Sequence, residues 1–159
     1  MAVPPAAREE LTLDQQVCFA LAVADRRVLA VYRPLLEPLG LTHPQYLVMV
    51  ALWERGPLAL RDLGRLLHLD SGTLSPLLKR LEAAGLVTRA RSTSDERVVV
   101  LATTPAGDEL RARAIDVHDD VVRRLGLDRD DLELLHDVLT RLVAATDRED
   151  VPAEVPAQE

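Results

Sequence analysis

The sequence predicts a mostly α-helical fold with a small β wing, and residues 60–101 carry the pattern that indicates it. Two groups of leucines fall there at helical spacing, first Leu60, Leu63, Leu66 and Leu67, then Leu74, Leu77, Leu78 and Leu81. Either Asp70 or Ser71 can cap the second helix, and Gly85 ends it because glycine accepts the positive φ of a helix C-terminus. Two helices joined by so short a turn form a helix-turn-helix.

A short β hairpin is predicted directly after these helices. Residues 86–91 and 97–101 have the composition of two strands, and the polar segment 92–96 joins them. A helix-turn-helix followed by a basic hairpin is a winged helix, and the usual work of a winged helix is reading DNA. We place the winged helix at residues 53–102.

The polar residues of this segment follow the order that DNA binding requires. Small hydroxyl groups at the start of the second helix suit base edges, and cationic groups further along suit phosphates. Arginines on the hairpin suit a phosphate backbone or a narrow minor groove. These residues are, in that order, Ser71, Thr73 and Ser75, then Lys79 and Arg80, then Arg89, Arg91 and Arg97. The alternative is a winged-helix module that binds protein, because a fold does not determine a function.

Charge is distributed unevenly along the chain. The 159 residues carry a net charge of −7, but residues 53–101 hold 8 basic and 6 acidic side chains, a net charge of +2. Residues 1–52 have a net charge of −1, and residues 102–159 have −8. The segment predicted to read DNA is therefore the only basic one, and an acidic body helps to orient its basic face towards DNA.

Two helices are predicted before the winged helix. Thr12 and Gln15 have the spacing of a capping box, which would begin a long helix reaching the low thirties. Pro34 is expected to bend or end this helix. Thr42 and Gln45 form a second capping box, which begins the next helix.

Two more helices are predicted after the hairpin. Thr104 begins a long helix that reaches about Leu125, and Asp128 caps a last one. The apolar stripes of the terminal helices, at 13–40 and 104–146, exceed what the small winged helix can cover. We therefore predict a homodimer with interleaved terminal helices. Such a dimer places two DNA-reading helices about one DNA turn apart, as a palindromic operator requires.

Composition limits the class of protein further. Residues 12–146 are expected to form one domain, between a flexible arm at 1–11 and a disordered tail at 147–159. The single cysteine fits a reducing cytoplasm, and no apolar run is long enough to predict a membrane span. The histidines are spread too far apart to predict a metal site, and no cofactor is expected.

The order of these elements resembles the MarR family of dimeric repressors. The triplet Asp95-Glu96-Arg97 matches the D-x-R wing motif of that family, which implies that Asp95 and Arg97 serve DNA binding. The segment VCFAL at 17–21 resembles LCFAL of the organic-hydroperoxide sensors, the OhrR branch. LTHPQYLVM at 41–49 resembles their LTYPQYLVM. The similarity covers roughly residues 13–142.

The resemblance implies a redox sensor. In that branch a reduced dimer represses a thiol-peroxidase gene, and an organic hydroperoxide oxidises an N-terminal cysteine so that DNA is released. Carried over, Cys18 is the sensor, because a thiolate attacks peroxide oxygen and becomes a sulfenic acid. With no second cysteine here, the next step uses an outside low-molecular-weight thiol or continues to sulfinic acid. From its position alone, Cys18 would be interpreted as an inert thiol on an apolar helix.

The tyrosines that bond the sulfur in relatives are only partly kept. Tyr32 keeps its place, while Ala22 and His43 stand where relatives carry tyrosine. The resemblance implies that Tyr32 and His43 support the sensor, with His43 as a hydrogen-bond donor or as a cation. His43 is otherwise a solvent-exposed histidine at a helix start. Tyr32 follows Cys18 by 14 residues on one predicted helix, so it can reach only the sulfur of another subunit.

Two further functions remain open. The first is a repressor of the same fold that a small aromatic ligand releases, with Cys18 uninvolved. The second is a thiol peroxidase that uses Cys18. We expect no enzyme, because the chain has no second cysteine to resolve the oxidised one and a peroxidase would have no use for a DNA-reading segment.

Overall fold

The computed structural model describes residues 12–147. The predicted arm at 1–11 lies outside the described residues, as does the predicted tail at 147–159 except for Asp147. The chain divides into two compact units, one ending at Val121 and the other beginning at Val122.

The described part of the chain is mostly helical and contains one small antiparallel sheet, as predicted. The helices are α1 (Val17–Leu36), α2 (His43–Arg55), α3 (Leu60–Leu67), α4 (Ser71–Ala83), α5 (Pro105–Leu125) and α6 (Arg129–Thr146). The strands are β1 (Leu58–Ala59), β2 (Val87–Arg91) and β3 (Val99–Thr103). The strand order in the sheet is β1-β3-β2.

The start of the chain differs from the prediction. The capping box of Thr12 with Gln15 is wrong, because the Gln15 N–H donates to the backbone oxygen of Thr12 at 3.3 Å and not to its hydroxyl. A 3-10 turn at Leu13–Gln15 results, and α1 begins only after it. Helix α1 continues through Pro34 to Leu36, and the proline removes one helical bond, because it has no N–H to donate to the Ala30 carbonyl.

Helix α2 begins with the capping box that the sequence predicts. The Thr42 hydroxyl accepts the Gln45 N–H at 3.5 Å, and the Gln45 side-chain oxygen accepts the Thr42 N–H at 2.9 Å. Both bonds satisfy donors that a helix start leaves unpaired. One face of α2 is buried in the first unit, with Tyr46, Val48, Met49, Ala51 and Leu52.

The predicted helix-turn-helix and wing enclose one apolar core. Leu63 of α3, Leu78 of α4 and Leu101 of β3 each have 0–1% of their surface exposed. The short strand β1, which the sequence reading missed, pairs with β3 and places Leu58 opposite Leu101. The predicted strand at 97–101 is observed at Val99–Thr103, so Arg97 lies in the turn and not on a strand.

The start of α5 is bonded to the end of α4. The Thr104 hydroxyl donates to the Gly85 carbonyl at 2.6 Å and accepts the Gly107 N–H at 3.0 Å. A Cβ on Gly107 would overlap the Leu86 carbonyl oxygen, so only glycine permits this close approach. The Trp53 indole N–H donates to the Gly107 carbonyl at 3.2 Å and adds α2 to the junction.

Helix α6 belongs to the second unit and begins at its predicted cap. The Asp128 carboxylate accepts the Asp131 N–H at 2.8 Å. No residue of α6 is buried within the described chain. Its exposed large apolar side chains are Leu134, Leu135, Val138, Leu142 and Val143.

Candidate nucleic-acid interface and thiol site

The start of α4 presents hydroxyl groups that Asp70 partly organises. The Asp70 carboxylate accepts the Thr73 N–H at 2.8 Å and the Thr73 hydroxyl at 3.1 Å. These hydrogen bonds, the backbone bond first, hold the pKa of Asp70 below its ordinary value. Ser71 is exposed and Ser75 is half-buried. The hydroxyls of Ser71 and Thr73 therefore lie at the exposed start of α4, as predicted, and Ser75 is less accessible.

The rest of the exposed face of α4 is cationic. Lys79 and Arg80 are exposed, and neither has a side-chain partner among residues 12–147. Pro76 lies within the helix and has no N–H to donate, so the Gly72 carbonyl receives no helical bond from it.

The tip of the wing is shaped by the D-x-R motif. The Asp95 carboxylate accepts the Arg97 N–H at 3.0 Å, and the Asp95 carbonyl accepts the Val98 N–H at 2.9 Å. The Arg91 guanidinium donates to the Glu96 carbonyl at 3.0 Å. Asp95 and Arg91 therefore hold the turn, while the Arg97 side chain is exposed.

Arg89 has a partner that the sequence did not predict. Its guanidinium lies 3.2 Å from the carboxylate of Glu82 on α4, and both side chains are about 30% exposed (29% and 32%). This ion pair connects β2 of the wing to α4. Of the three arginines predicted to contact DNA from the hairpin, two support the shape of the wing and Arg97 extends from it.

A cleft of about 940 Å³ lies between α3, the start of α4 and the wing. Arg61, Arg65 and His68 of the α3 side line it together with Ser71 and Arg97. Arg61 and Arg65 were not predicted from the sequence, although their i, i+4 spacing places them on one side of a helix. The structure thus brings cationic residues of α3 beside the predicted interface.

Cys18 is exposed in this single chain, at the second position of α1. The residues around it are also exposed and largely apolar, with Val17 at 66%, Phe19 at 40% and Leu21 at 37%. The thiol is therefore not buried by its own chain. It lies among exposed apolar side chains of α1 that residues 12–121, the described part of the first unit, do not bury.

Tyr32, His43 and Tyr46 form an aromatic cluster between α1 and α2. The ring centroids of Tyr32 and His43 are 4.7 Å apart, and those of Tyr32 and Tyr46 are 5.7 Å apart. The structure thus brings the two predicted supporting residues together and adds Tyr46, which the sequence analysis did not single out. Cys18 lies elsewhere, because it precedes Tyr32 by 14 residues on the continuous helix α1, which corresponds to roughly 21 Å.

Burial controls the protonation of this cluster. Partial burial lowers the pKa of His43 below 6.5, and the nearby Asp25 carboxylate opposes that shift. Burial raises the pKa of Tyr32 and, together with Tyr32, that of Tyr46. At pH 7, His43 is therefore mainly neutral and both phenols keep their protons. The predicted cationic role of His43 is disfavoured, and hydrogen bonding is favoured.

A second cavity, of about 330 Å³, lies between α2 and α5. Tyr46 and Trp53 line it from α2, and Arg111 and His118 line it from α5. Within residues 12–147, no three His, Cys, Asp or Glu side chains cluster as a metal site would require. The same part of the chain has no helix long and apolar enough to cross a membrane.

Comparison with known proteins agrees with this geometry. The family model described as "MarR family" matches residues 41–99. The organic hydroperoxide resistance transcriptional regulator of Bacillus subtilis (strain 168) is 39% identical over 135 residues, which cover 85% of this chain and 92% of the relative.

Solved structures with the same fold include AbfR of Staphylococcus epidermidis. Its crystal structure has a TM-score of 0.74 at 31% identity, covering 86% of this chain and 95% of that one. Reduced AbfR bound to DNA has a TM-score of 0.70 at 33% identity, covering 84% and 94%. These relatives span the winged helix and its flanking helices together. The chain therefore belongs to the MarR family of DNA-binding transcriptional regulators.

Proposed function

We propose that this chain is a cytoplasmic transcriptional repressor that senses organic hydroperoxides by oxidation of Cys18 and then releases its operator. The observation that carries the proposal is the position of Cys18, exposed at the start of α1. Its support is the 39% identity to a relative named for organic hydroperoxide resistance. Reducing conditions in the cytoplasm would keep this thiol ready to react.

The DNA-binding form in this proposal is a homodimer. Helix α6 has no buried residue in the described chain, and the first turns of α1 expose Val17 at 66%. Amphipathic helices are stable when their apolar face is covered, and a second copy offers a complementary face. Interleaved terminal helices would cover both faces and hold two α4 helices at the spacing of a palindromic operator.

The proposed reaction is a two-electron oxidation of sulfur. The Cys18 thiolate attacks one peroxide oxygen, the O–O bond breaks, and the other oxygen leaves as an alkoxide that takes a proton to become an alcohol. The sulfur becomes sulfenic acid. A low-molecular-weight thiol then condenses with it and releases water, which leaves a mixed disulfide. Excess hydroperoxide instead carries the sulfur to sulfinic acid.

The supporting residues in this proposal come from the other subunit. Tyr32 and His43 cannot reach Cys18 of their own chain along α1, but their contact at 4.7 Å means that they would approach a partner's sulfur together. Both are uncharged at pH 7, so they would act by hydrogen bonding to the thiolate. Such bonds favour the charged form of the thiol.

Helix α2 offers a route from the sensor to the DNA. It carries His43 and Tyr46 in its first turn and Trp53 near its end. The Trp53 bond to Gly107 joins α2 to the junction that holds the end of α4. An oxidised, larger sulfur group at the aromatic cluster would displace the start of α2, and a rigid helix would transfer that displacement to the support of α4.

The first test measures operator binding by fluorescence anisotropy, with DNA from upstream of the chain's own gene. We expect cumene hydroperoxide to release the wild-type dimer and to leave Cys18→Ser bound. Serine keeps the size of the side chain and removes the oxidisable sulfur. Release of the Cys18→Ser dimer at the same hydroperoxide dose would place sensing elsewhere.

The second test uses mixed dimers to locate Tyr32. One dimer pairs a wild-type chain with a chain that carries both Cys18→Ser and Tyr32→Phe, so the remaining Cys18 faces a phenylalanine. The matched control pairs wild type with Cys18→Ser alone, so that Cys18 faces tyrosine. We expect slower oxidation in the first dimer. Equal rates would refute the arrangement across the interface.

A repressor released by a small aromatic acid is the second candidate. The observation that favours it is the cavity between α2 and α5, where Tyr46 and Trp53 offer aromatic faces and Arg111 offers a cation. Benzoate or salicylate would then release the Cys18→Ser dimer from DNA, and hydroperoxide would not affect the wild type.

A further inference from the structure

The cleft beneath the wing has the shape and charge of an anion-binding groove. Arg61 and Arg65 form its α3 wall, Ser71 lies at the start of α4, and Arg97 lies at the wing. Asp70 is the one carboxylate among its lining residues, and its oxygens accept both polar hydrogens of Thr73. Three arginine side chains therefore line the cleft, against one carboxylate that is already bonded.

Arg61 and Arg65 are available for a ligand. Each lies near Asp62, at 3.8 Å and 3.9 Å, which is the outer limit of an ion pair. Their side chains are 75% and 70% exposed. Exposed pairs at such distances are weak, because water screens them and two long side chains must be held in place. A phosphate can therefore take these guanidinium groups from Asp62 at little cost.

Backbone hydrogen bonds fix the turn between α3 and α4, which lie on two sides of the cleft. His68 has φ of 52°, the only positive φ of a non-glycine residue within residues 12–147. Its N–H donates to the Arg65 carbonyl at 3.2 Å, and the Leu69 N–H donates to the Gly64 carbonyl at 2.9 Å. These bonds end α3 directly beside Arg65, and Asp70 then begins α4.

The position of the cleft selects the ligand. In a winged helix bound to DNA, the second helix enters the major groove and the wing reaches the adjacent minor groove. The sugar–phosphate strand that separates these grooves must then pass between the start of α4 and Arg97. The cleft of about 940 Å³ opens between the start of α4 and Arg97, which is where that strand would pass.

We infer that Arg61 and Arg65 bind consecutive phosphates of the operator strand that runs between α4 and the wing. The inference rests on the DNA-binding function and extends it to α3. These contacts carry no base information, so they act on affinity and register rather than on sequence preference. Arg97 at the opposite edge would bind the same strand or the minor groove beyond it.

The test is the salt dependence of operator binding by the double variant Arg61→Gln, Arg65→Gln. Loss of two phosphate contacts should flatten the slope of log K against log salt by about two units per subunit. Affinity at physiological salt should fall on the order of tenfold or more, equally for operator and scrambled DNA. Thermal melting and dimer mass should match wild type, because both side chains are exposed.

The matched control is Arg55→Gln, Arg129→Gln. It removes the same charge from two exposed arginines that also lie near carboxylates, Glu54 at 3.1 Å and Glu133 at 2.8 Å, but that do not line the cleft. We expect its salt slope to match wild type. If the salt slope falls equally in both double variants, the loss of net charge explains the effect and the inference is overturned.

A third variant, Asp62→Asn, should act in the opposite direction. It removes the carboxylate that competes for both arginines, so operator affinity should rise by a few-fold.

The outcomes separate the phosphate site from the proposed function. If the Arg61→Gln, Arg65→Gln variant binds the operator with the affinity and salt slope of wild type, the phosphate site is overturned and the repressor proposal stays intact. Absence of DNA binding by the wild-type dimer would overturn both. The release of the double variant from DNA by hydroperoxide tests the sensor separately, because Cys18 is unchanged in this variant.

Discussion

Two leucine-rich regions of this chain differ in whether their leucine side chains are buried or exposed. In the winged helix, Leu63, Leu78 and Leu101 are at most 1% exposed. In α6, Leu134 is 64% exposed and no residue is buried. Both regions have helical spacing of leucines, so periodicity alone does not distinguish them. The winged helix therefore buries its leucines within one chain, whereas α6 leaves its apolar stripe exposed among the described residues.

Helix α1 has one buried end and one exposed end. Its C-terminal end is anchored, with Leu36 at 1% exposure and Tyr32 against the rings of α2. Its N-terminal end exposes Val17, Phe19 and the Cys18 thiol. The sensor candidate therefore lies at the uncovered end of a helix whose other end is part of the core.

The largest expected effect is that of Leu78→Ala on the core. Removal of a fully buried leucine side chain should lower the free energy of unfolding by about 3–5 kcal/mol, independently of protein concentration. Leu134→Ala is the matched control, because the same substitution at an exposed position should cost less than about 0.5 kcal/mol in the monomer. Urea unfolding at two concentrations measures both. If both variants lose a similar free energy of unfolding, the two regions do not differ in how their leucines contribute to stability.

A smaller effect is expected for Leu135→Glu on α6. A charge on the apolar stripe should weaken the dimer on the order of a hundredfold, because a carboxylate would lose its water in the interface. The winged helix should stay folded. Thr140→Glu places the same charge on the opposite side of α6 and should leave the dimer intact. Sedimentation across a dilution series measures the dissociation constant of each dimer. A Leu135→Glu dimer as stable as wild type would exclude α6 from the interface.

The smallest effect concerns pH and the anchored end of α1. Burial lowers the pKa of His43 in the folded chain, so the unfolded chain binds more protons near and below pH 6.5. The contribution of His43 to stability is therefore complete above pH 6.5 and decreases as the pH falls through the lowered pKa. His43→Gln should unfold with a weaker dependence on pH between 7.5 and 5. An unchanged dependence would mean that His43 is solvated in the folded chain.

Local signals in the sequence determined most of the elements. The capping box of Thr42 with Gln45, the cap at Asp128 and the helix Pro105–Leu125 were all predicted, because they depend on residues within one turn of each other. Thr12 shows the limit of such signals. It has the spacing of a capping box, yet the backbone of Gln15 bonds to the Thr12 carbonyl instead of its hydroxyl.

Only the tertiary structure decided which charged side chains are available. In the sequence Arg89 and Arg97 are equivalent candidates, but the fold brings Glu82 within 3.2 Å of Arg89 and leaves Arg97 exposed. Arg61 and Arg65 drew no attention until α3 was seen beside the wing. The reason is that periodicity and capping act over three or four residues, whereas ion pairs and clefts join side chains distant in the sequence, whose positions depend on how the helices pack.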